Sequence, residues 1–153
     1  MKNLAIKIDR NAIMQEVSLA SAYAGAKSGN EEEASFDRVA LVESDAALIT
    51  RFWYETAGVI CGKLQPLILA SSLDDESLEM ELRLSGAYDE SLNDSVKADI
   101  FSCFSSGVTA RWFRYSYPAR AGEWEEESLE LLGRAFRKLC HRLPPARKTP
   151  LTN

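Results

Sequence analysis

The residue types that could perform chemistry are few in this sequence and lie far apart. The thiols and the imidazole that a zinc site or a nucleophile would use are Cys61, Cys103, Cys140 and His141. No Cys-x-x-Cys pair is present, and each cysteine falls in or beside a helical stripe of apolar residues, where a free thiol behaves as a small hydrophobic side chain. We expect core thiols, with a zinc site or a Cys–His dyad as the alternatives.

Carboxylates are abundant but are not spaced as a site. The acids at 74–76 are typical of a solvated turn, and those at 123–127 suit the positive N-terminal end of a helix. Asp94 and Asp99, on a predicted helix, stay open as acid–base or magnesium-binding candidates. The chain contains no phosphate-binding loop, no dinucleotide-binding motif and no zinc-protease motif. We therefore expect a protein with no catalytic residue, no metal site and no cofactor.

The segment ARWFRYSYPAR, residues 110–120, interleaves arginines with aromatic residues. Such side chains stack on bases and pair with phosphates. The same composition is typical of a packed helix C-terminus, an interpretation that the sequence pI of about 5.0 favours. The candidate partner-binding residues, for a protein or a nucleic acid, are Arg111, Trp112, Arg114, Tyr115 and Arg120.

The composition is that of a globular domain: 46% of the 153 residues are hydrophobic and 27% are charged. The net charge of −5 is unevenly spread, with an acidic excess across 41–110 and a basic excess across 111–153. We expect one domain over residues 1–143 and a flexible tail at 144–153. No signal-peptide pattern and no membrane-length apolar run is present, so we expect a cytoplasmic protein, or one assembled into a virion-like particle.

The spacing of apolar residues predicts an α+β fold that is predominantly helical, with about four helices packed together and against a small antiparallel sheet. Residues 67–73 and 78–84 form a predicted hairpin, which an extended segment at 3–8 is expected to join. The helices are expected to start at Asp9 or Asn11, at Ser44 or Asp45, at Ser91 or Asn93, and near Glu123, with a break after the first helix at Gly29 and Asn30.

The second strand of this hairpin alternates apolar and charged residues. Its apolar face, from Leu78 to Leu84, is expected to cover the second helix, and its charged face is expected to lie in solvent. A small sheet can also leave a strand edge open to pairing with another chain. The candidate sheet-edge residues are Glu79, Glu81 and Arg83.

Four segments, MKNLAIKIDRNAIMQEV, RFWYETAGVICGKLQP, LEMELRLS and ARWFRY, resemble a group of small proteins that gut anaerobes encode, often among prophage tail and head–tail genes. The resemblance spans residues 1–142 and carries no catalytic residue. It implies a non-enzymatic role in virion assembly, as a head–tail connector or tail-completion protein that acts through protein–protein contacts or self-association.

Two alternatives remain open at this point. One is a nucleic-acid-associated or regulatory protein that uses the basic-aromatic segment 111–120 and the basic segment 134–148. The other is an enzyme whose pocket lies between the helices and the sheet, where polar groups would have to converge.

Overall fold

The computed structural model describes residues 1–27 and 45–146, with side chains described for 1–24 and 45–146. The elements are β1 (Lys2–Asp9), α1 (Arg10–Lys27), α2 (Ala46–Leu64), β2 (Ile68–Leu73), β3 (Ser77–Leu84), α3 (Asn93–Ser116) and α4 (Pro118–Leu139). Short 3-10 helices at Gln65–Leu67 and Glu90–Leu92 precede β2 and α3. The prediction of a mainly helical α+β fold with a small antiparallel sheet is confirmed. The break expected at Gly29 and Asn30, and the tail beyond residue 146, lie outside the described residues.

The three strands form an antiparallel sheet in the order β1-β3-β2. β1 pairs with β3 over its whole length, with Lys2 opposite Leu84 and Asp9 opposite Ser77. β2 pairs with the other side of β3 and contains an irregularity next to Ile68. The predicted hairpin and its third strand are therefore confirmed.

β3 is the central strand of this sheet. The expectation that Glu79, Glu81 and Arg83 mark a sheet edge is wrong, because the backbone of β3 pairs with β1 on one side and with β2 on the other. Their side chains do lie on the face away from the core, as the alternation predicts. The edges of the sheet are formed by β1 and β2.

The inner face of β1 and β3 forms part of one hydrophobic core with the helices. Its side chains are at most 4% exposed: Leu4, Ile6, Ile8, Leu78, Met80, Leu82 and Leu84. Trp53 of α2 contacts Phe104 of α3, with ring centroids 4.5 Å apart. The burial of large apolar side chains from sheet and helices together is the main force that holds these layers against each other.

α3 and α4 are separated by a single residue, Tyr117. α4 starts at Pro118, five positions before the Glu123 that the acidic run suggested. Proline is well suited to the first turn of a helix, because its missing N–H would have no partner within the helix there. In the described part of the chain, no helix combines the length and the apolar character that crossing a bilayer requires.

Candidate functional site

The cysteines are poorly placed for nucleophilic chemistry. Burial raises the pKa of the Cys103 thiol and that of the half-buried Cys61 thiol, which opposes formation of the reactive thiolate. Cys140 is exposed directly after α4, so the expectation of a core thiol is wrong at this position. Across residues 1–27 and 45–146, no group of three or more metal-binding side chains comes together.

A polar cluster that the sequence did not reveal joins α3 to α4. The Lys138 ammonium donates to Asp99 Oδ2 and to Ser95 Oγ, both at 2.6 Å. Lys138 is on α4 and both of its partners are on α3, so the ion pair and the hydrogen bond link these two helices.

The acidic turn that connects β2 to β3, residues Asp74, Asp75 and Glu76, is tied to the rest of the fold. Asp74 accepts backbone N–H bonds from Ser77 and Glu76, which lower the pKa of its carboxyl group. Trp53 Nε1 donates to the backbone oxygen of Asp74 at 2.9 Å. These contacts fix the turn, and its carboxylates do not converge on a common point that would hold a cation.

The basic-aromatic residues mostly contact other parts of the same chain. Arg114 and Arg120 form ion pairs with Glu125 and Glu123, at 2.6 and 3.0 Å. Arg111 has a side chain only 17% exposed and lies 3.4 Å from a Glu55 carboxylate oxygen.

The aromatic members of this segment differ in exposure. Trp112 is 6% exposed and belongs to the core, whereas Tyr115 is 61% exposed and its ring lies against Phe52. A base could therefore stack on Tyr115 but not on Trp112 without a rearrangement of the helices. Trp112 and Phe113 are packed near the C-terminal end of α3, whereas Arg114, Tyr115 and Arg120 are exposed.

β2 is the part of the fold whose exposure is hardest to account for within one chain. Residues 69–73 are all exposed, on both faces of the strand. Leu69 is 53% exposed and Leu73 is 38% exposed, although Leu73 pairs with the fully buried Leu78. The helices thus cover β1 and β3 but leave β2 largely uncovered, in the part of the chain that the structure describes.

The two edge strands differ in charge. β1 contains Lys2, Lys7 and Asp9, and charged residues on an edge strand discourage pairing with other chains. β2, with the sequence ILASSL, has no charged residue and no proline. Its outward N–H and C=O groups face away from β3, and no strand among the described residues pairs with them.

The outer face of the sheet carries a shallow trough of about 460 Å³ above Ala5 and Ala70. Its charged groups are already engaged: Lys7 lies 3.5 Å from Glu79, and Asn3 donates to Glu81. The β2 edge is therefore the strongest candidate for a functional surface.

Comparison of this chain with protein-family models, with curated proteins and with solved structures found no match. Sequence reasoning anticipated an open edge but assigned it to the charged strand. The signal for the correct strand was the uncharged run LILASSL, which lacks the lysines of the opposite edge.

Proposed function

We propose that this protein is a non-enzymatic assembly component that joins other protein chains by extending its sheet at the β2 edge. The observation that carries the proposal is the exposure of an uncharged, proline-free edge strand on both of its faces. A strand of another chain that pairs with such an edge satisfies its backbone groups and covers its apolar side chains.

The chemistry of the remaining surface supports a binding role more than a catalytic one. Burial raises the pKa of both Cys61 and Cys103, and Lys138 is paired with Asp99. The resemblance to proteins encoded among prophage tail genes suggests that the assembly is a phage or prophage-derived particle, with this chain as a connector or tail-completion protein. A nucleic-acid-binding role receives less support, because Arg111, Arg114 and Arg120 each lie beside a glutamate.

Site-specific photo-cross-linking inside cells tests this proposal. A photoreactive amino acid replaces Leu69 on β2, and in a matched control it replaces Val59, which is 44% exposed on α2. Because a paired strand lies within about 5 Å of the edge, we expect a discrete protein–protein cross-link from position 69 and a much weaker one from position 59. Mass spectrometry of the cross-linked band identifies the partner peptide.

A second variant connects the cross-link to edge pairing. Leu69→Lys introduces a charge on the edge strand, as the lysines of β1 do on the other edge, so we expect it to abolish a cross-link from position 73 while the chain stays folded, as circular dichroism verifies. Absence of any cross-link from positions 69 and 73, or equal cross-linking from position 59, would contradict the proposal.

A further inference from the structure

The two ends of β2 carry opposite charges. At its C-terminal end lies the acidic turn, in which Glu76 forms no side-chain hydrogen bond or ion pair among the described residues. Arg10 packs against this turn and Lys7 lies near it, but Asp9 adjoins them, so acidic groups remain in excess there. At the N-terminal end of β2 the balance is reversed.

A cleft of about 500 Å³ at that N-terminal end is basic. It is lined by residues 66–69, by Arg83 at the end of β3 and by Arg142 after α4, with no acidic side chain in its lining. Within the described residues, neither arginine forms an ion pair or a hydrogen bond to a side chain. In a chain with a net charge of −5, two unpaired arginines beside an apolar wall form a ready binding site for carboxylates.

An antiparallel pair of identical β2 strands would bring these two ends together. A twofold axis perpendicular to the sheet keeps the inner faces of both copies on the same side, so directly opposed residues must share a face. Ser71 then lies opposite the partner's Ser71, and Ala70 opposite the partner's Ser72. This pairing agrees with the faces that β3 imposes on β2, since Ala70 and Ser72 both lie opposite glutamates.

The same register has two further consequences. Leu69, at the irregularity of β2, comes near the partner's Leu73, so the exposed apolar side chains of the two copies lie close together at both ends of the strand pair. Because the two strands run antiparallel, the basic cleft at the N-terminal end of one β2 adjoins the acidic turn, residues 74–76, at the C-terminal end of the other. The apolar pairs and the charges are thus matched by one symmetric arrangement.

We propose that the chain that occupies the β2 edge is a second copy of this protein, paired antiparallel about Ser71. The dimer has a continuous six-stranded sheet, and Arg83 and Arg142 of each copy contact the acidic turn of the other. This inference rests on the proposed function and identifies its partner.

Charge-reversal variants test the register as well as the dimer. A cleft variant carries Arg83→Glu and Arg142→Glu, and a turn variant carries Asp75→Lys and Glu76→Lys. Each variant alone places like charges at both ends of the strand pair, so we expect dimerisation to weaken by about tenfold or more at low salt. Mixed in equal amounts, the two variants are complementary, and we expect a heterodimer.

The measurement is the molar mass by light scattering, at several protein concentrations, with circular dichroism to verify folding. The control variant is Lys97→Glu, a reversal on the exposed face of α3, which we expect to leave the wild-type dimer intact. A dimer of the wild type, monomers of both variants and a restored dimer in the mixture would establish the inference.

Two other outcomes would overturn it. A dimer that persists in both variants and in Leu69→Lys would show that copies associate through another surface. A wild-type monomer at all concentrations would show that the occupant is not a second copy. If the wild type is monomeric but position 69 cross-links to a different protein, the proposed function stands and only the identity of the partner is wrong. If position 69 cross-links to no protein, the proposed function is wrong as well.

Discussion

Replacement of Gly107 by alanine is expected to destabilise the protein at the point where three helices meet. Gly107 lies on α3, and a methyl group at this position would come 2.8 Å from Thr56 Cγ2 on α2 and 3.1 Å from Ser128 Oγ on α4. Carbon atoms that are not bonded pack best at about 3.5–4.0 Å. The missing side chain therefore lets α3 approach both of its neighbours closely.

The expected magnitude combines two opposing effects. Alanine stabilises a helix interior by about 1 kcal/mol relative to glycine. Insertion of a methyl group into a tightly packed contact costs about 1–3 kcal/mol. We expect Gly107→Ala to lower the free energy of unfolding by about 1 kcal/mol. At Gly58, on α2, no atom lies within 4 Å of an added methyl group, so the same substitution should raise it by about 1 kcal/mol.

Urea denaturation of the wild type and of both variants, at one protein concentration, measures these differences. Both substitutions add the same methyl group, but they should change the free energy of unfolding in opposite directions, so that the two variants differ by about 2 kcal/mol. Thr56→Ser removes the methyl group that the new side chain would contact, and in the double variant with Gly107→Ala it should recover part of the loss. If Gly107→Ala is as stabilising as Gly58→Ala, the helices do not pack as described.

The remaining predictions concern the sheet, the α3–α4 link and the acidic turn. Leu82→Asp buries an unpaired charge at a fully buried position and should abolish cooperative thermal unfolding. Arg83→Asp, at the next residue on the outer face, should retain it. An unchanged melting temperature in Leu82→Asp would show that the face assignment is wrong. Lys138→Met removes the partner of the largely buried Asp99 carboxyl group and should cost about 3 kcal/mol in urea denaturation. The double variant with Asp99→Leu should largely reverse this loss, and equal instability of the double variant would argue against the pair. The pKa of the Asp74 carboxyl group is lower in the folded protein than the ordinary value of about 4, so its stabilising contribution is present above about pH 4 and is lost as the pH falls through the folded-state pKa. Between pH 5 and pH 3 the wild type should therefore lose more free energy of unfolding than Asp74→Ala does. Equal losses would refute this.

The strand pattern was readable from sequence wherever one face of the sheet is buried. Leu78, Met80, Leu82 and Leu84 alternate strictly with exposed residues, because β3 has helices on one side and solvent on the other. The order of the strands was not readable. β1 ends at Asp9 and pairs with a strand that begins only at Ser77. Nothing local in either sequence specifies this pairing, and β3 could equally have been expected at an edge of the sheet.

The ion pairs explain why the basic-aromatic segment was ambiguous. Arg111 lies beside Glu55, a residue on another helix, so its partner depends on how α2 and α3 cross. Likewise, the pairing of Lys138 with Asp99 depends on how α3 and α4 pack against each other. Helix periodicity predicts which face of its own helix such a residue lies on, but not which residues of a neighbouring helix it contacts. An arginine with an ion-pair partner therefore cannot be distinguished in the sequence from one without.

The candidate edge was partly predictable. A hairpin ending in an uncharged strand was visible from residues 67–73, but its exposure depends on how far the helical layer extends over the sheet. That layer is set by α2 and α3, whose apolar stripes cover the inner side chains of β1 and β3. Only the assembled fold places β2 beyond this cover.

Amide hydrogen exchange along β2 measures whether a second copy of the chain pairs with this edge. We expect the outward-facing N–H groups of residues 68–73 to exchange slowly at high protein concentration and rapidly after dilution. We expect Leu69→Lys to make them exchange rapidly at every concentration. The amides of β3, which pair on both sides within one chain, should remain protected throughout. Exchange along β2 that is independent of concentration and unaffected by Leu69→Lys would contradict the claim that another copy of the chain pairs with this edge.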